Sequence, residues 1–183
     1  MPVMTEAAEG QPSIQGLLYI SYTSDPSFDV IFGKGVEVLL LKGEEGPQKE
    51  LEAVKARWLP QIRAQNAAWS KAWGEARRAL GTEKQKEKTE ALRREQEKLD
   101  TLRSEYEKEV RNLLARYVLQ RTETDGEGKF EFAGLPPGRY LLHARFKVRL
   151  TQNSYFWLHP VELRQGEEVE THLNKAASIS LYQ

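Results

Sequence analysis

The chain has 183 residues, the length of one ordinary domain or of a small domain with a large insertion. Its 27 basic residues balance its 27 acidic residues, so no general attraction to nucleic acid or anionic lipid is expected, and we predict no nucleic-acid partner. There is no cysteine, which excludes a disulfide framework, a thiol nucleophile and a thiolate metal site.

The start of the chain carries no recognisable membrane or secretion signal. No apolar run approaches the roughly 18 residues of a membrane-spanning helix. The opening MPVMTE lacks the basic start and the apolar stretch of a signal peptide. We therefore expect a soluble chain without a transmembrane segment, beginning with a flexible tail over residues 1–13.

Residues 14–46 have the two-residue period of β-strands. We predict a strand at 14–22, a loop at 24–27 and a second strand at 35–42. In the second strand, Val36 and Val38 lie on one face and Glu37 on the other. Each strand is therefore expected to bury one face.

Residues 47–118 change to a period of three and four, which predicts two long helices. The seam of the first helix consists of Leu51, Val54, Trp58, Ile62, Gln65, Trp69, Trp73, Ala76 and Leu80. The seam of the second consists of Leu92, Leu99, Leu102, Tyr106, Val110, Leu113 and Tyr117. Between them, Gly81 suits a helix end, and Thr82 with Gln85 has the spacing of a capping box.

A reversal at Gly81 and Thr82 makes the two helices an antiparallel coiled-coil hairpin and sets its register. Residues whose numbers add up to about 163, such as Trp58 and Tyr106, are expected to face each other. Pro60 opposes a continuous first helix, because a proline inside a helix typically costs about 3 kcal/mol. The first helix is therefore expected to kink or restart at Pro60.

Residues 119–183 return to strand patterns around one distinctive motif, TDGEGKFEFAGLPPGRY, at residues 124–140. Asp125 and Gly128 suit a tight turn, and the next strand alternates two inward phenylalanines with charged residues. Two prolines then stop strand pairing before Tyr140 starts a new strand, in which His143 is expected to point outward. Further strands are predicted at 146–150, 155–163 and 169–173, with a short one at 178–181.

This motif resembles the TDxxGxFxFxxLPPGxYxL signature of the carboxypeptidase regulatory-like family, whose members are transthyretin-like β-sandwiches. The similarity covers residues 14–46 and 119–183 and not the helical hairpin. It implies a prealbumin-like or Ig-like sandwich that acts as a non-catalytic module in secreted or membrane-attached proteins. The related collagen-adhesin repeats form Lys–Asn isopeptide bonds, but residues 14–22 contain no lysine, and we expect no such bond.

Two groups of residues have the composition of metal sites. His159 and Glu162 have the spacing of zinc-carboxypeptidase ligands, with His172 as a third candidate, but residues three apart on a strand point to opposite faces. The acidic residues around the motif turn are calcium candidates, although they lack the full ligand set of a calcium loop: Glu123, Asp125 and Glu127. We therefore predict no enzyme activity and no catalytic, cofactor-binding or metal-binding residues.

The tryptophans of the first helix lead to a different kind of site. The simplest interpretation is that they fill the hairpin core. Near the turn, however, the second helix offers mostly charged residues, which leaves Trp69 and Trp73 under-packed, with Arg93 or Arg94 stacking on their rings. We predict that these four residues form an interaction surface covered by a second hairpin or by another protein.

A second aromatic group lies in the strand 155–163. Both faces of a strand in a two-layer sandwich are buried only if a further element covers one of them, so either the hairpin shields one face or an aromatic residue such as Trp157 is displayed. A displayed Trp157 would suit a sugar ring. Binding of a carbohydrate or a cell surface is therefore the alternative function.

The sequence thus predicts a mainly β fold with an α insertion. An antiparallel sandwich of about seven strands, 14–46 and 119–183, carries a helical hairpin, 47–118. The predicted function is that of a non-enzymatic structural or interaction module, in which the hairpin binds a protein partner or a second copy. The family resemblance favours a location outside the cytoplasm.

Overall fold

The computed structural model describes residues 12–24, 27–43, 45–148 and 153–182. Most of the predicted tail lies outside the described residues, as do Asp25 and Pro26 of the predicted loop and the end of the predicted strand 146–150. The chain divides into two compact units. One comprises the residues up to Glu45 and Tyr117–Leu181, and the other comprises Gly46–Arg116 with the last two residues.

The first unit is a β-sandwich, and the described part of the chain contains eight named strands. They are β1 (Ser13–Ser24), β2 (Ser27–Phe32), β3 (Glu37–Lys42), β4 (Val118–Glu123), β5 (Lys129–Ala133), β6 (Gly138–Lys147), β7 (Ser154–Leu163) and β8 (Glu168–Leu173). One sheet has the order β2-β1-β5, with β8 also paired to β1, and the other has the order β4-β3-β6-β7. The predicted sandwich is confirmed, with one parallel pair, β1 with β8, among antiparallel ones.

The core of the sandwich is built from the alternate residues of both sheets. Its fully buried members include Ile14, Leu18, Ile20, Leu40, Leu142 and Trp157. Burial of such side chains is worth about 1.5–3 kcal/mol each relative to exposure. The period-two pattern seen in the sequence therefore marks the face that stabilises this unit.

The motif at 124–140 forms the corner between the two sheets. Thr124 is buried and its hydroxyl accepts a hydrogen bond from the Val36 amide at 2.8 Å. The Asp125 carboxylate accepts hydrogen bonds from the amides of Glu127 and Lys129, and these bonds lower its pKa. At the other end of the corner, the Tyr140 hydroxyl donates to the Pro136 carbonyl at 2.5 Å. The polar residues of the motif therefore have structural partners.

Glycine is required at position 128 by both conformation and space. Its φ of 79° lies in the left-handed region, which side chains other than glycine rarely adopt. A Cβ atom there would also overlap the carbonyl oxygen of Leu18. The turn between β4 and β5 can therefore approach β1 only with glycine at this position.

His143 corrects an expectation from the sequence. It was predicted to point outward, but its side chain is buried, its Nδ1 lies 2.9 Å from the Trp157 carbonyl oxygen, and its ring centroid lies 4.6 Å from that of Phe156. Around His143 the outer face of β6 and β7 is buried as well as the inner face, since Leu141, Phe156 and Leu158 are also buried. The C-terminal segment contributes to this burial, because it pairs with β7 through a hydrogen bond from the Ile179 amide to the Phe156 carbonyl.

The second unit is an antiparallel hairpin of α1 (Glu45–Arg78) and α2 (Gln85–Ala115). The predicted register is confirmed: the rings of Trp58 and Tyr106 lie 6.4 Å apart, and Glu75 pairs with Lys88 at 3.1 Å. Near the base, Tyr182 donates to the carboxylate of Glu107 at 2.6 Å. Neither described helix combines enough length and hydrophobicity to cross a membrane.

Two local expectations about the hairpin change. Helix α1 runs through Pro60 without restarting, and Pro60 is exposed on its surface. The predicted capping box is not formed, because the Thr82 hydroxyl donates back to the Ala79 carbonyl and the Gln85 side chain accepts from the Gly81 amide. Gly81, with a φ of 76°, still breaks the helix.

Candidate interaction surface of the hairpin

One side of the hairpin is fastened by polar contacts between the helices, and we call it the ion-paired flank. On α2 and its C-cap, its residues are seven or fourteen positions apart, which is two or four helical turns: Lys88, Glu95, Glu109 and Arg116. Their partners on α1 are respectively Glu75, Gln65, Arg57 and Glu50. This side of the seam is therefore closed by complementary polar groups.

The electrostatics of the ion-paired flank agree with this geometry. The hydrogen bond and charge of Lys88 lower the pKa of Glu75, and the same pair raises the pKa of Lys88. Hydrogen bonds from Lys98 and Gln65 lower the pKa of Glu95. Both carboxylates are thus held in their charged form, although such exposed pairs are worth little to stability.

We call the opposite side of the hairpin the neutral flank. A second contact between the helices identifies the residues that lie on it. Arg103 donates a hydrogen bond to the Asn66 side chain at 3.0 Å. Two-turn steps from these residues lead along the same side to Trp73 on α1 and to Gln96 and Thr89 on α2, and Leu80 follows in the turn after α1. Beyond Arg103, this side consists of uncharged residues, and these form the neutral flank: Asn66, Trp73, Leu80, Thr89 and Gln96.

The neutral flank displays the largest exposed apolar side chains of the hairpin. Trp73 is 46% exposed and Leu80 is 63% exposed, whereas Trp69 is half-buried. The sequence placed Trp73 and Leu80 on the inward seam, and this placement is wrong. A two-helix hairpin has one contact line, so residues beside that line have no third element to cover them.

The predicted arginine contacts are also different. Arg93 and Arg94 do not stack on the tryptophans, because both are engaged by carboxylates of their own helix, chiefly Glu90. It is Arg77, one turn from Trp73 on the same helix, that lies over the Trp73 ring at 5.4 Å. The sequence contains the clue to this contact, because residues four positions apart on a helix, such as Trp73 and Arg77, are neighbours on its surface.

Trp157 is not part of any exposed surface. Its side chain is fully buried, stacks with Tyr155 at 6.1 Å and donates from Nε1 to the Asn174 carbonyl at 2.7 Å. The expectation that Trp157 is displayed is therefore wrong. Since Phe156 and Leu158 are buried too, both faces of β7 are covered along this stretch.

A different apolar surface is exposed on the sandwich, on the outside of the β2-β1-β5 sheet, and we call it the outer aromatic face. It consists of Val30, Phe32, Tyr19 and His172. Phe32 lies directly opposite Tyr19 in the β1–β2 register, and the Tyr19 and His172 rings meet edge to face at 6.0 Å. Val30 is 39% exposed and Phe32 is 45% exposed.

Sequence reasoning missed this face because it missed strand β2. Apolar side chains lie on both sides of β2: Ile31 packs against the core, and its neighbours Val30 and Phe32 point away from it. Without a period-two pattern, the segment carries no clear strand signal. Enrichment in β-branched and aromatic residues was the available clue.

The metal candidates are not brought together among the described residues. No group of three or more histidine, aspartate or glutamate side chains there is arranged to hold an ion. His159 is partly buried and Glu162 is exposed on β7, three positions apart and hence on opposite faces. His172 lies close to Glu170 and Tyr19.

Comparisons with known proteins show a limited likeness. No family profile and no curated protein matches the chain, so the carboxypeptidase regulatory-like resemblance stays a prediction. One similar structure is a Pseudomonas aeruginosa protein for which carbohydrate binding has been suggested, at 15% identity, 91% coverage of this chain, 89% of that chain and a TM-score of 0.41. Another is the pilus backbone protein of Streptococcus pneumoniae, at 13% identity, 90% and 41% coverage and a TM-score of 0.28. Neither similarity is high enough to carry a conclusion about function.

Proposed function

We propose that the protein is a non-enzymatic interaction module whose hairpin binds a protein through the neutral flank. The observation that carries this proposal is the exposure of Trp73 and Leu80 on the side of the hairpin that also holds the uncharged residues Asn66, Thr89 and Gln96. Large exposed apolar side chains on one surface are typical of protein contacts. The sandwich precedes and follows the hairpin in sequence, and the polar residues of its 124–140 motif have partners within the sandwich.

The test compares two double variants, each of which introduces two negative charges into the hairpin. Trp73→Glu with Leu80→Glu places two charges on the neutral flank, whereas Thr101→Glu with Ser104→Glu places two charges on exposed positions elsewhere on α2. Association is measured by light scattering for the protein alone and by capture of proteins from its source cells. We expect at least a tenfold loss with the first variant and no loss with the second. Equal binding by both variants would overturn the proposal.

Glycan binding is the second candidate function, and the outer aromatic face supports it in place of Trp157. Phe32 and Tyr19 offer adjacent rings, and His172 adds a polar group at the edge. Calorimetric titration with a panel of oligosaccharides tests this candidate, with Phe32→Ser as the variant expected to lose binding. If no heat of binding is measured for the intact chain with any oligosaccharide of the panel, the glycan-binding proposal is wrong. A glycan ligand would also fit a location outside the cytoplasm, which cell fractionation can check.

A further inference from the structure

The charge balance of the whole chain hides a concentration of positive charge around the hairpin turn. Residues 61–88, which we call the distal segment, contain seven basic and three acidic residues, a net charge of +4. The rest of residues 46–116 contains 10 basic and nine acidic residues, a net charge of +1. Outside the hairpin there are 10 basic and 15 acidic residues, a net charge of −5. An anionic surface therefore attracts the distal segment and repels the other unit.

Most cations of the distal segment are not neutralised within the protein. Lys88 is paired with Glu75 at 3.1 Å and lies 3.9 Å from Glu87, so Glu83 is the one acidic residue of the segment without a printed cationic neighbour among the described residues. Six basic residues are exposed and form no ion pair among the described residues: Arg63, Lys71, Arg77, Arg78, Lys84 and Lys86. The distal segment thus presents uncompensated positive charge to its surroundings.

Two of these cations converge on one cleft at the turn. Arg78 at the end of α1 and Lys84 before α2 both line an open cleft of about 710 Å³. The cleft is completed by Glu75, Ala79, Thr82, Glu83 and Lys88. The turn therefore brings cations from both sides of the hairpin to the same space.

The distal segment also exposes two large apolar side chains. Leu80 is 63% exposed, and Trp73, seven residues earlier, is 46% exposed. Seven residues span about 10 Å along a helix axis. Helices that lie at a membrane surface combine these features, with basic groups at the phosphates, tryptophan among the headgroups and leucine at the acyl boundary.

We propose that the distal segment docks on an anionic phospholipid surface. This proposal goes beyond the proposed function, in which the neutral flank binds a protein. In the docked state Leu80 reaches the acyl boundary, Trp73 lies among the headgroups, and the unpaired cations contact lipid phosphates.

The composition of the segment favours lipid over other acidic partners. Nucleic acid would attract the cations, but an exposed leucine gains nothing from a phosphate backbone. Lysine is depleted at protein interfaces, whereas clusters of lysine and arginine are typical of segments that bind anionic lipid. Lys84 and Lys86 next to Leu80 therefore fit a lipid surface best.

The test measures co-sedimentation of the intact chain with two kinds of vesicle, phosphatidylcholine alone and phosphatidylcholine with about 30% phosphatidylglycerol. The distal variant combines Arg78→Gln, Lys84→Gln and Lys86→Gln. The matched base variant combines three exposed positions at the other end of the hairpin: Lys49→Gln, Lys108→Gln and Arg111→Gln. Both variants lose three positive charges, and circular dichroism shows whether each one folds.

We expect wild type to bind the anionic vesicles at least about tenfold more tightly than the neutral ones. The distal variant loses at least about fivefold of this affinity, and the base variant keeps it. Raising sodium chloride from about 50 to about 500 mM weakens wild-type binding by at least about tenfold, since the charges are screened. Leu80→Ser, which keeps every charge, also binds the anionic vesicles more weakly, because the apolar contact is lost.

Three results would overturn the proposal. Wild type that binds neither kind of vesicle, or binds both equally, would exclude anionic lipid as the partner. An equal loss in the distal and base variants would show an effect of net charge instead of docking by the distal segment. Loss of a captured protein by the distal variant, with no vesicle binding by wild type, would assign the cations to an acidic protein. The proposed function is tested without lipid, through Trp73→Glu with Leu80→Glu, so either proposal can fail alone.

Discussion

The sandwich and the hairpin differ in how they bury their apolar side chains. The sandwich packs a core between two sheets and encloses Trp157 and Leu142 without any exposed surface, although it also displays Val30 and Phe32 on its outer aromatic face. The hairpin has one contact line between two helices and leaves Trp73 and Leu80 largely open beside it. The comparison teaches that two packed sheets enclose a core, whereas two helices bury a seam and leave the apolar side chains beside it without a covering element.

The sharpest way to test this comparison is to empty the sandwich core. Trp157→Ala removes a fully buried ring and the hydrogen bond to the Asn174 carbonyl. We expect it to lower the free energy of unfolding by about 3–5 kcal/mol, as measured by urea denaturation. A loss below about 1 kcal/mol would show that the core is less closed than the structure indicates.

A smaller effect is expected at the corner between the sheets. Thr124→Val keeps the shape of the side chain but leaves the buried Val36 amide and Gly33 carbonyl without their hydroxyl partner. The expected loss is about 1–3 kcal/mol in the same assay. Thr122→Val on β4 is the matched control, and an equal loss in both variants would count against the assigned role of Thr124.

The third prediction concerns pH and tests whether the outer face of β6 is really covered. Burial lowers the pKa of His143 below 6.5, in spite of the opposing effects of the Trp157 carbonyl and Glu37. Below about pH 6.5 the unfolded chain therefore binds a proton that the folded chain does not, so the free energy of unfolding falls as the pH falls, by at most about 1.4 kcal/mol per pH unit.

Urea unfolding at several values between pH 7.5 and 5 measures this dependence. His143→Gln should reduce the slope, and His172→Gln, at an exposed position, is the matched control. An unchanged slope in His143→Gln would mean that this side chain is accessible to protons in the folded state.

The smallest change in stability is expected on the neutral flank. Trp73→Ala removes a ring that is already 46% exposed and is contacted by Arg77 of its own helix. We expect the free energy of unfolding to change by less than about 1 kcal/mol, because no packed core is lost. A loss comparable to that of Trp157→Ala would instead make Trp73 a core residue of the hairpin.

The predictable parts of the molecule are those set by local pattern. The alternation in β5 and the glycine and proline residues of the 124–140 motif predict the corner, and Gly81 with the two seams predicts the hairpin register. Trp58 opposite Tyr106 follows directly from that register. In each case residues close in sequence, or a single turn, determine the arrangement.

The unpredictable parts depend on contacts between distant segments. His143 is buried on a face where Phe156 binds the C-terminal segment through Ile179, a pairing with no local signal. The predicted seam of α1 includes too many residues. Spacings of three and four residues fit positions beside the contact line, such as Trp73 and Leu80, as well as positions on it. Trp73 is exposed near the turn, with Arg77 rather than Arg93 or Arg94 against its ring, and its part in an interaction surface stays a prediction.

The most direct test of the central claim is hydrogen–deuterium exchange of the intact chain in its free and associated states. The account predicts slower exchange on association in residues 66–80, at the end of α1 and in the turn after it, because the neutral flank is the surface that becomes covered. Little change is expected in the ion-paired stretch of α2 around Glu109. Unchanged exchange at 66–80 together with protection elsewhere in an associated sample would contradict the claim that this flank is the interaction surface.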